Sequence, residues 1–129
     1  MDTVSQFLTR IRNAGLAKHE KVDVPASNMR IGIVEILAAK GLVRSYRVAK
    51  DSKQGVMRIY LRYNASGEHA MSEISVVSKP GRRVYVGAVD IPVVRSGLGM
   101  CILSTNKGLM DGETAKKENL GGELICKIW

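Results

Sequence analysis

Between Val56 and Tyr63 the chain alternates with period two: Met57, Ile59, Leu61 and Tyr63 take one side, and Arg58, Tyr60 and Arg62 take the other. A strand with this pattern buries one face and wets the other, so it needs an apolar partner layer. The partner layer lies upstream. Val4, Phe7, Leu8 and Ile11 recur at i, i+3, i+4 and i+7, and Met29, Ile33, Val34, Ile36 and Leu37 make a second, broader apolar face. The first pattern predicts a helix from Met1 to Gly15, opened by a Thr3–Gln6 capping box and stopped by Gly15; the second opens at Ser27 or Asn28 and stops at Gly41, with Lys40 in its last turn. Lys21 to Val24 reads as a short strand closed by Pro25, and Leu42 to Ala49 pairs with Val56 to Tyr63 through a hairpin over Lys50 to Gly55.

Periodicity is lost from Asn64 to Ser72, a stretch rich in Asn, Ser and Gly, which predicts a linker over 64–72 between an N-terminal α/β domain (1–63) and a C-terminal domain (73–129). In the second part, Ile74 to Ser78 and Arg83 to Val86 read as strands around Lys79-Pro80-Gly81-Arg82, where Pro-Gly fits a type II turn that projects Lys79 and Arg82. Asp90-Ile91-Pro92 fits the start of a short helical turn ending at Gly97, and Asp111 can cap a helix running to about Asn119. Leu120-Gly121-Gly122-Glu123 reads as a tight loop before a central apolar strand, Leu124 to Trp129. The fold class expected is α+β, with two small domains, the second mainly an antiparallel sheet with short helices.

Charge narrows the function. The chain carries 20 Lys and Arg against 12 Asp and Glu, a net charge of +8, which suits a polyanionic partner. The excess is concentrated in residues 1–72, with twelve bases against six acids, whereas residues 73–129 hold eight against six. Recognition by the second part must then depend on shape and hydrogen bonds more than on bulk charge. An aromatic share of 5% argues against a binder built on base-stacking platforms. No run of 18 apolar residues and no basic-then-apolar N-terminus occurs, so neither a membrane span nor a signal peptide is expected. Cys101 and Cys126 lie in apolar runs without CxxC spacing and read as buried free thiols.

The stretch Gly97-Leu-Gly-Met-Cys-Ile-Leu-Ser-Thr-Asn-Lys-Gly108 combines a short buried strand with a polar tip. Ser104, Thr105 and Asn106 both donate and accept, Lys107 adds a cation, and Gly108 lets the chain turn at positive φ. Two readings fit: a compact tip for surfaces dense in hydroxyls, base edges and phosphates, or an ordinary β-turn. Arg10 and Arg12 lie off the first apolar stripe and are solvated charges or phosphate contacts. Asn28 and Arg30 sit at the second helix's start, where a cation opposed to the dipole suits either an incoming anion or a neutral surface choice.

Enzymatic alternatives fail on their requirements. Ser104-Thr105-Asn106-Lys107 matches the S-x-x-K nucleophile pattern, but Gly108 interrupts the helix that pattern needs and no Ser-Asp-Asn or Lys-Thr-Gly partner occurs. Gly97-x-Gly99 lacks a third glycine, and no phosphate-cradling P-loop sequence is present. His19 and His69 stand alone in loops, with no converging metal ligands. A rival of another class is a regulator that presents its basic first domain to acidic proteins.

Several separated motifs resemble one family. Leu8-Thr9-Arg10-Ile11-Arg12-Asn13-Ala14, Lys79-Pro80-Gly81-Arg82-Arg83-Val84-Tyr85, Gly97-Leu98-Gly99, Ser104-Thr105-Asn106-Lys107-Gly108-Leu109-Met110 and Gly121-Gly122-Glu123 occur in that order, and the chain is similar over essentially its whole length to ribosomal protein eight of the bacterial small subunit. The resemblance implies a non-catalytic, cytoplasmic ribosomal protein, monomeric within the ribosome, without cofactor or metal. It would bind the central domain of small-subunit ribosomal RNA early in assembly, reading an irregular helix across its minor groove, with neighbouring ribosomal proteins as further partners. The family also tends to repress its own operon by binding a messenger that mimics the ribosomal site. Its contacts carry over to Tyr85, to Ser104, Thr105, Asn106 and Lys107, and to Gly121, Gly122 and Glu123. Beside RNA, Glu123 should face a base amino group or a 2′-hydroxyl; otherwise it holds Lys107 or a backbone N–H. Two residues depart from the family pattern: Asn106 replaces the usual Ser, exchanging a hydroxyl for an amide, and Thr3 replaces a Pro near the start.

Overall fold

A computed structural model describes residues 3–49, 55–71, 73–94 and 99–129. The elements in chain order are α1 (Thr3–Leu16), β1 (Lys21–Pro25), α2 (Asn28–Ala39), β2 (Val43–Ala49), β3 (Val56–Leu61), β4 (Ile74–Val76), β5 (Tyr85–Val86), β6 (Met100–Thr105), β7 (Gly108–Asp111), α3 (Gly112–Lys117) and β8 (Gly122–Ile128). The α+β class is as expected. The chain divides into two compact units, one of Gln6–Ser72 and one of Met1–Ser5 with Glu73–Trp129.

In the unit Gln6–Ser72, β3 lies between β1 and β2 in an antiparallel sheet. Its alternation works as the sequence predicts: Met57, Ile59 and Leu61 are buried, together with Phe7, Leu8 and Ile11 of α1 and Ile33, Val34 and Leu37 of α2. Burying each such side chain stabilises the unit by about 2 kcal/mol before entropy is counted. Met29 departs from its expected place on the apolar face and is 37% exposed, because it lies in the first turn of α2, beyond the buried part of that face. On the open face Arg58 is not a free cation, since it grips both oxygens of Asp23 at 2.8 and 3.1 Å and holds that carboxyl below its usual range. Arg44 lies 5.3 Å over the Tyr60 ring.

Helix ends explain two further differences. α2 stops where expected, with Gly41 at φ 74 and the bond pair Gly41 N to Ala38 O and Leu42 N to Leu37 O. α1 passes through Gly15 and closes with the same bond pattern one turn later, with Lys18 rather than a glycine in the left-handed region at φ 61. Gly15 serves packing instead. A Cβ there would stand 2.1 Å from His69 Nδ1, so His69, read as a lone loop histidine, is half-buried against α1, with its ring 5.5 Å from that of Tyr63. Asn64 organises the segment after β3 by accepting from Ser66 N and Glu68 N at 2.9 Å, while Tyr63 and His69 pair as an isolated bridge. The Met1 start, the Thr3 cap, the Lys50 to Gln54 hairpin loop and the Gly97 turn end lie outside the described residues.

In the other unit β8 is central, as expected, pairing with β4, β5 and β6, while β7 flanks β6. Ile91, Val94, Cys101, Leu103, Ala115 and Leu124 form its core, and both cysteines are free and buried. Asp111 caps α3 as predicted, accepting from Thr114 N at 3.2 Å and Thr114 Oγ1 at 2.6 Å. Three expectations need correction. The Pro80-Gly81 turn closes by reciprocal Lys79–Arg82 backbone bonds with Gly81 outside the left-handed region, so it is not type II. Asp90 ends rather than starts a short helical turn, Ala88–Asp90, and Ile91 is extended, since the residue before Pro92 avoids the helical region. Leu109 and Met110 form β7, so the polar tip is a hairpin turn, in keeping with its β-turn reading. Gly122 and Glu123 are not in a loop, for β8 begins two residues before Leu124 to pair with β5 and β6.

Candidate nucleic-acid interface

That early start of β8 places the main candidates in one row. Tyr85 of β5 pairs with Glu123 of β8, Glu123 pairs with Ser104 of β6, and Ser104 pairs with Leu109 of β7. Partners directly opposite in antiparallel strands send their side chains to the same face, so four residues from four strands line one end of the sheet. The next residues along, Val84, Leu124, Leu103 and Met110, pack in or against the core on the other face. Alternation thus turns core packing on one side into presentation on the other. Tyr85 is 70% exposed, a large ring left open to solvent.

The adjoining tip separates into a structural residue and three presented ones. Thr105 Oγ1 donates to Gly108 O at 2.8 Å and accepts from Lys107 N at 3.1 Å, so this hydroxyl closes the turn. Asn106 and Lys107 keep negative φ while Gly108 takes φ 107, the geometry of a type I turn completed by a glycine bulge. The Ser104 hydroxyl and the Asn106 amide have no hydrogen-bond partner among the described residues, and Asn106 and Lys107 are exposed. The turn reading therefore holds for Thr105, and the presenting geometry for Ser104, Asn106 and Lys107.

Gly121 and Gly122 are required by the protein's own backbone. A Cβ on Gly122 would stand 2.2 Å from Ser104 O, and one on Gly121 would stand 2.5 Å from Val86 O. Both glycines let β8 lie close enough to β6 and β5 for the row to form. Among the described residues, Glu123 holds neither Lys107 nor a backbone N–H. Its Oε2 accepts from the Ser78 hydroxyl and, at 3.3 Å, from Arg83 Nη1. Ser78 was not legible as a site residue, since a serine at the end of an apolar run carries no signal of its own.

Lys79 and Arg82 are exposed at the β4–β5 turn. The remaining candidates lie in the unit Gln6–Ser72: Arg10 exposed and Arg12 half-buried on α1, and Asn28 and Arg30 at the start of α2. Ser27 is the cap of α2, accepting from Arg30 N at 3.2 Å, and Arg30 Nη1 donates to Pro25 O at 3.1 Å. The cation that opposes the dipole is explained by this bond to the end of β1 and needs no anion. Among the described residues no group of three metal-ligating side chains occurs, and no helix is long and apolar enough to cross a membrane.

Residues 2–129 match the family model for Ribosomal protein S8. The chain belongs to the ribosomal protein S8 family. Small ribosomal subunit protein uS8 of Bdellovibrio bacteriovorus is 61% identical over 129 residues, covering 100% of both chains. The uS8 proteins of Syntrophotalea carbinolica and Geotalea daltonii are 49% and 48% identical over 128 residues, covering 99% of this chain and 97% of theirs. Membership makes the chain a structural protein of the small ribosomal subunit and not an enzyme, consistent with the sequence-level rejection of the S-x-x-K reading.

Proposed function

We propose that the chain binds the central domain of small-subunit ribosomal RNA directly and early in assembly, through the turn and sheet-end surface built by Tyr85, Glu123, Ser104, Asn106 and Lys107. The observation that carries this reading is the register Tyr85–Glu123–Ser104, which sets an open ring, a carboxylate and an uncommitted hydroxyl side by side next to a polar tip. A-form RNA offers a wide, shallow minor groove lined by 2′-hydroxyls, and short donors and acceptors on a rigid sheet end match it in size and chemistry. Tyr85 lies against a sugar or an unstacked base. Lys79, Arg82, Arg10 and Arg12 supply sequence-independent attraction, and Lys107 adds a cation at the tip. In this reading residues 73–129 form the RNA-binding domain, residues 1–63 the basic α/β domain, and 64–72 joins them.

The protein works in the cytoplasm within the ribosome, as one copy beside neighbouring ribosomal proteins. The same surface would recognise a messenger presenting the same irregular helix, which would allow repression of its own operon. Filter binding of the full chain to a central-domain fragment and to an unrelated duplex tests the RNA reading. Tight, salt-sensitive binding that strongly prefers the fragment supports it, and equal affinity for both RNAs overturns it in favour of a binder of acidic surfaces in general.

A further inference from the structure

Ser78 is only 4% exposed and joins three parts of the sheet end. Its hydroxyl accepts from Val84 N at 3.3 Å and donates to Glu123 Oε2. Because the amide can only donate and the carboxylate can only accept, the hydroxyl proton is fixed on the side of Glu123. The same Oε2 receives Arg83 Nη1 at 3.3 Å, while Oε1 has no partner among the described residues. The Glu123 side chain is 18% exposed, open enough to be reached and closed enough to be held. Its residue sits between Tyr85 and Ser104 in the cross-strand row.

We propose that Ser78 is a positioning residue of the RNA interface: with Arg83 it clamps Oε2 of Glu123, so that Oε1 stands as a fixed acceptor for one uncharged RNA donor, either a base amino group or a 2′-hydroxyl. This rests on the RNA-binding reading above. A carboxylate facing RNA without a counter-ion repels phosphates, and Arg83 offsets that charge within the protein. Arg83 is then occupied with Glu123, unlike Arg82. The free oxygen discriminates because an acceptor fixed in place rewards a matching donor and penalises its loss, whereas a swinging carboxylate would find water instead. Guanine presents its amino group in the minor groove, and the 2′-hydroxyls of an A-form helix line the same surface.

Filter binding of the full chain, parent and Ser78→Ala, to central-domain fragments with single changes through the irregular helix tests the clamp. The changes are inosine for guanosine, purine riboside for adenosine, and 2′-deoxy sugars. Ser78→Ala should bind the unmodified fragment about tenfold more weakly, the worth of one charge-assisted hydrogen bond. At one position a change should weaken the parent by about tenfold and the variant hardly at all. Coupling at a base analogue assigns the donor as an amino group, and coupling at a 2′-deoxy sugar assigns it as a hydroxyl. Losses that add independently at every position overturn the proposal, even if Ser78→Ala lowers thermal stability. Glu123→Gln, which leaves the backbone pairing intact, should couple at the same position and supplies the test if Ser78→Ala does not fold by circular dichroism. Failure of the parent to prefer the unmodified fragment over an unrelated duplex would overturn RNA recognition itself, whereas preference without coupling overturns only the clamp.

Discussion

The two units present polar residues in contrasting ways. In the unit Gln6–Ser72 most of the charge is spread over an open sheet face and helix surfaces, and much of it is answered locally: Arg58 by Asp23, Arg44 by Glu20 at 3.6 Å, and Arg30 by a backbone carbonyl. In the unit containing Glu73–Trp129 the net charge is small, but strand register sets Tyr85, Glu123 and Ser104 side by side. Exposed, partly paired charges on long side chains attract a polyanion from a distance without fixing its register. Short side chains on neighbouring strands fix geometry and contribute little attraction. In the proposed RNA-binding reading, the two units would supply two different terms of one binding free energy.

The largest expected effect comes from breaking the row without touching its side chains. Gly122→Ala places a methyl group 2.2 Å from the Ser104 carbonyl, so the β8 start must move away from β6. It should destabilise the second unit by about 3 kcal/mol in chemical denaturation and abolish preference for the specific RNA, while leaving binding to unrelated RNA nearly intact. Next come the cations. Arg82→Ala should weaken binding to all RNAs alike and lower the salt slope by about one unit, whereas Arg83→Ala, whose charge is engaged by Glu123, should lower it by less. Thr105→Ala removes both bonds that close the tip and should destabilise the fold by about 1 kcal/mol, measured by urea titration, with a secondary loss of specific affinity.

The smallest effect belongs to the first unit. Burial pushes the His69 imidazole below its usual value, opposed by a backbone hydrogen bond at Met71, and its Nε2 is buried without a partner. The folded state thus binds a proton less readily than the unfolded chain. Stability from this residue is full above the ordinary histidine value of about 6.5 and falls as pH drops through it, levelling off below the depressed folded value. Melts of the parent and His69→Gln from about pH 7.5 to about pH 5 should show the parent losing more stability, with the difference confined to that window.

Much of this was legible because local pattern and tertiary role agree. The stripe Phe7, Leu8 and Ile11, the alternation Met57, Ile59 and Leu61, and the Asp111 cap each declare their surroundings in neighbouring residues. Resemblance marked the residues of the row, but not why they meet. That depends on β8 starting at Gly122, where glycines that look like loop formers are strand residues making room for a neighbouring backbone. Gly15 misled in the same way, since the space it leaves for His69 comes from a segment 54 positions later. Ser78 shows the limit most clearly. Its hydroxyl matters through Val84 and Glu123, and nothing beside it in the chain reveals either bond.

In the proposed reading, uncharged contacts at the sheet end and tip select the RNA while cations only attract it. Its most direct test is the salt dependence of filter binding for Ser104→Ala with Asn106→Ala, measured on the central-domain fragment and on an unrelated duplex. The expected loss is roughly 1–3 kcal/mol per lost contact on the fragment alone, with the salt slope unchanged, because neither residue neutralises a phosphate. Parental affinity for the fragment, or equal losses on both RNAs, would contradict it.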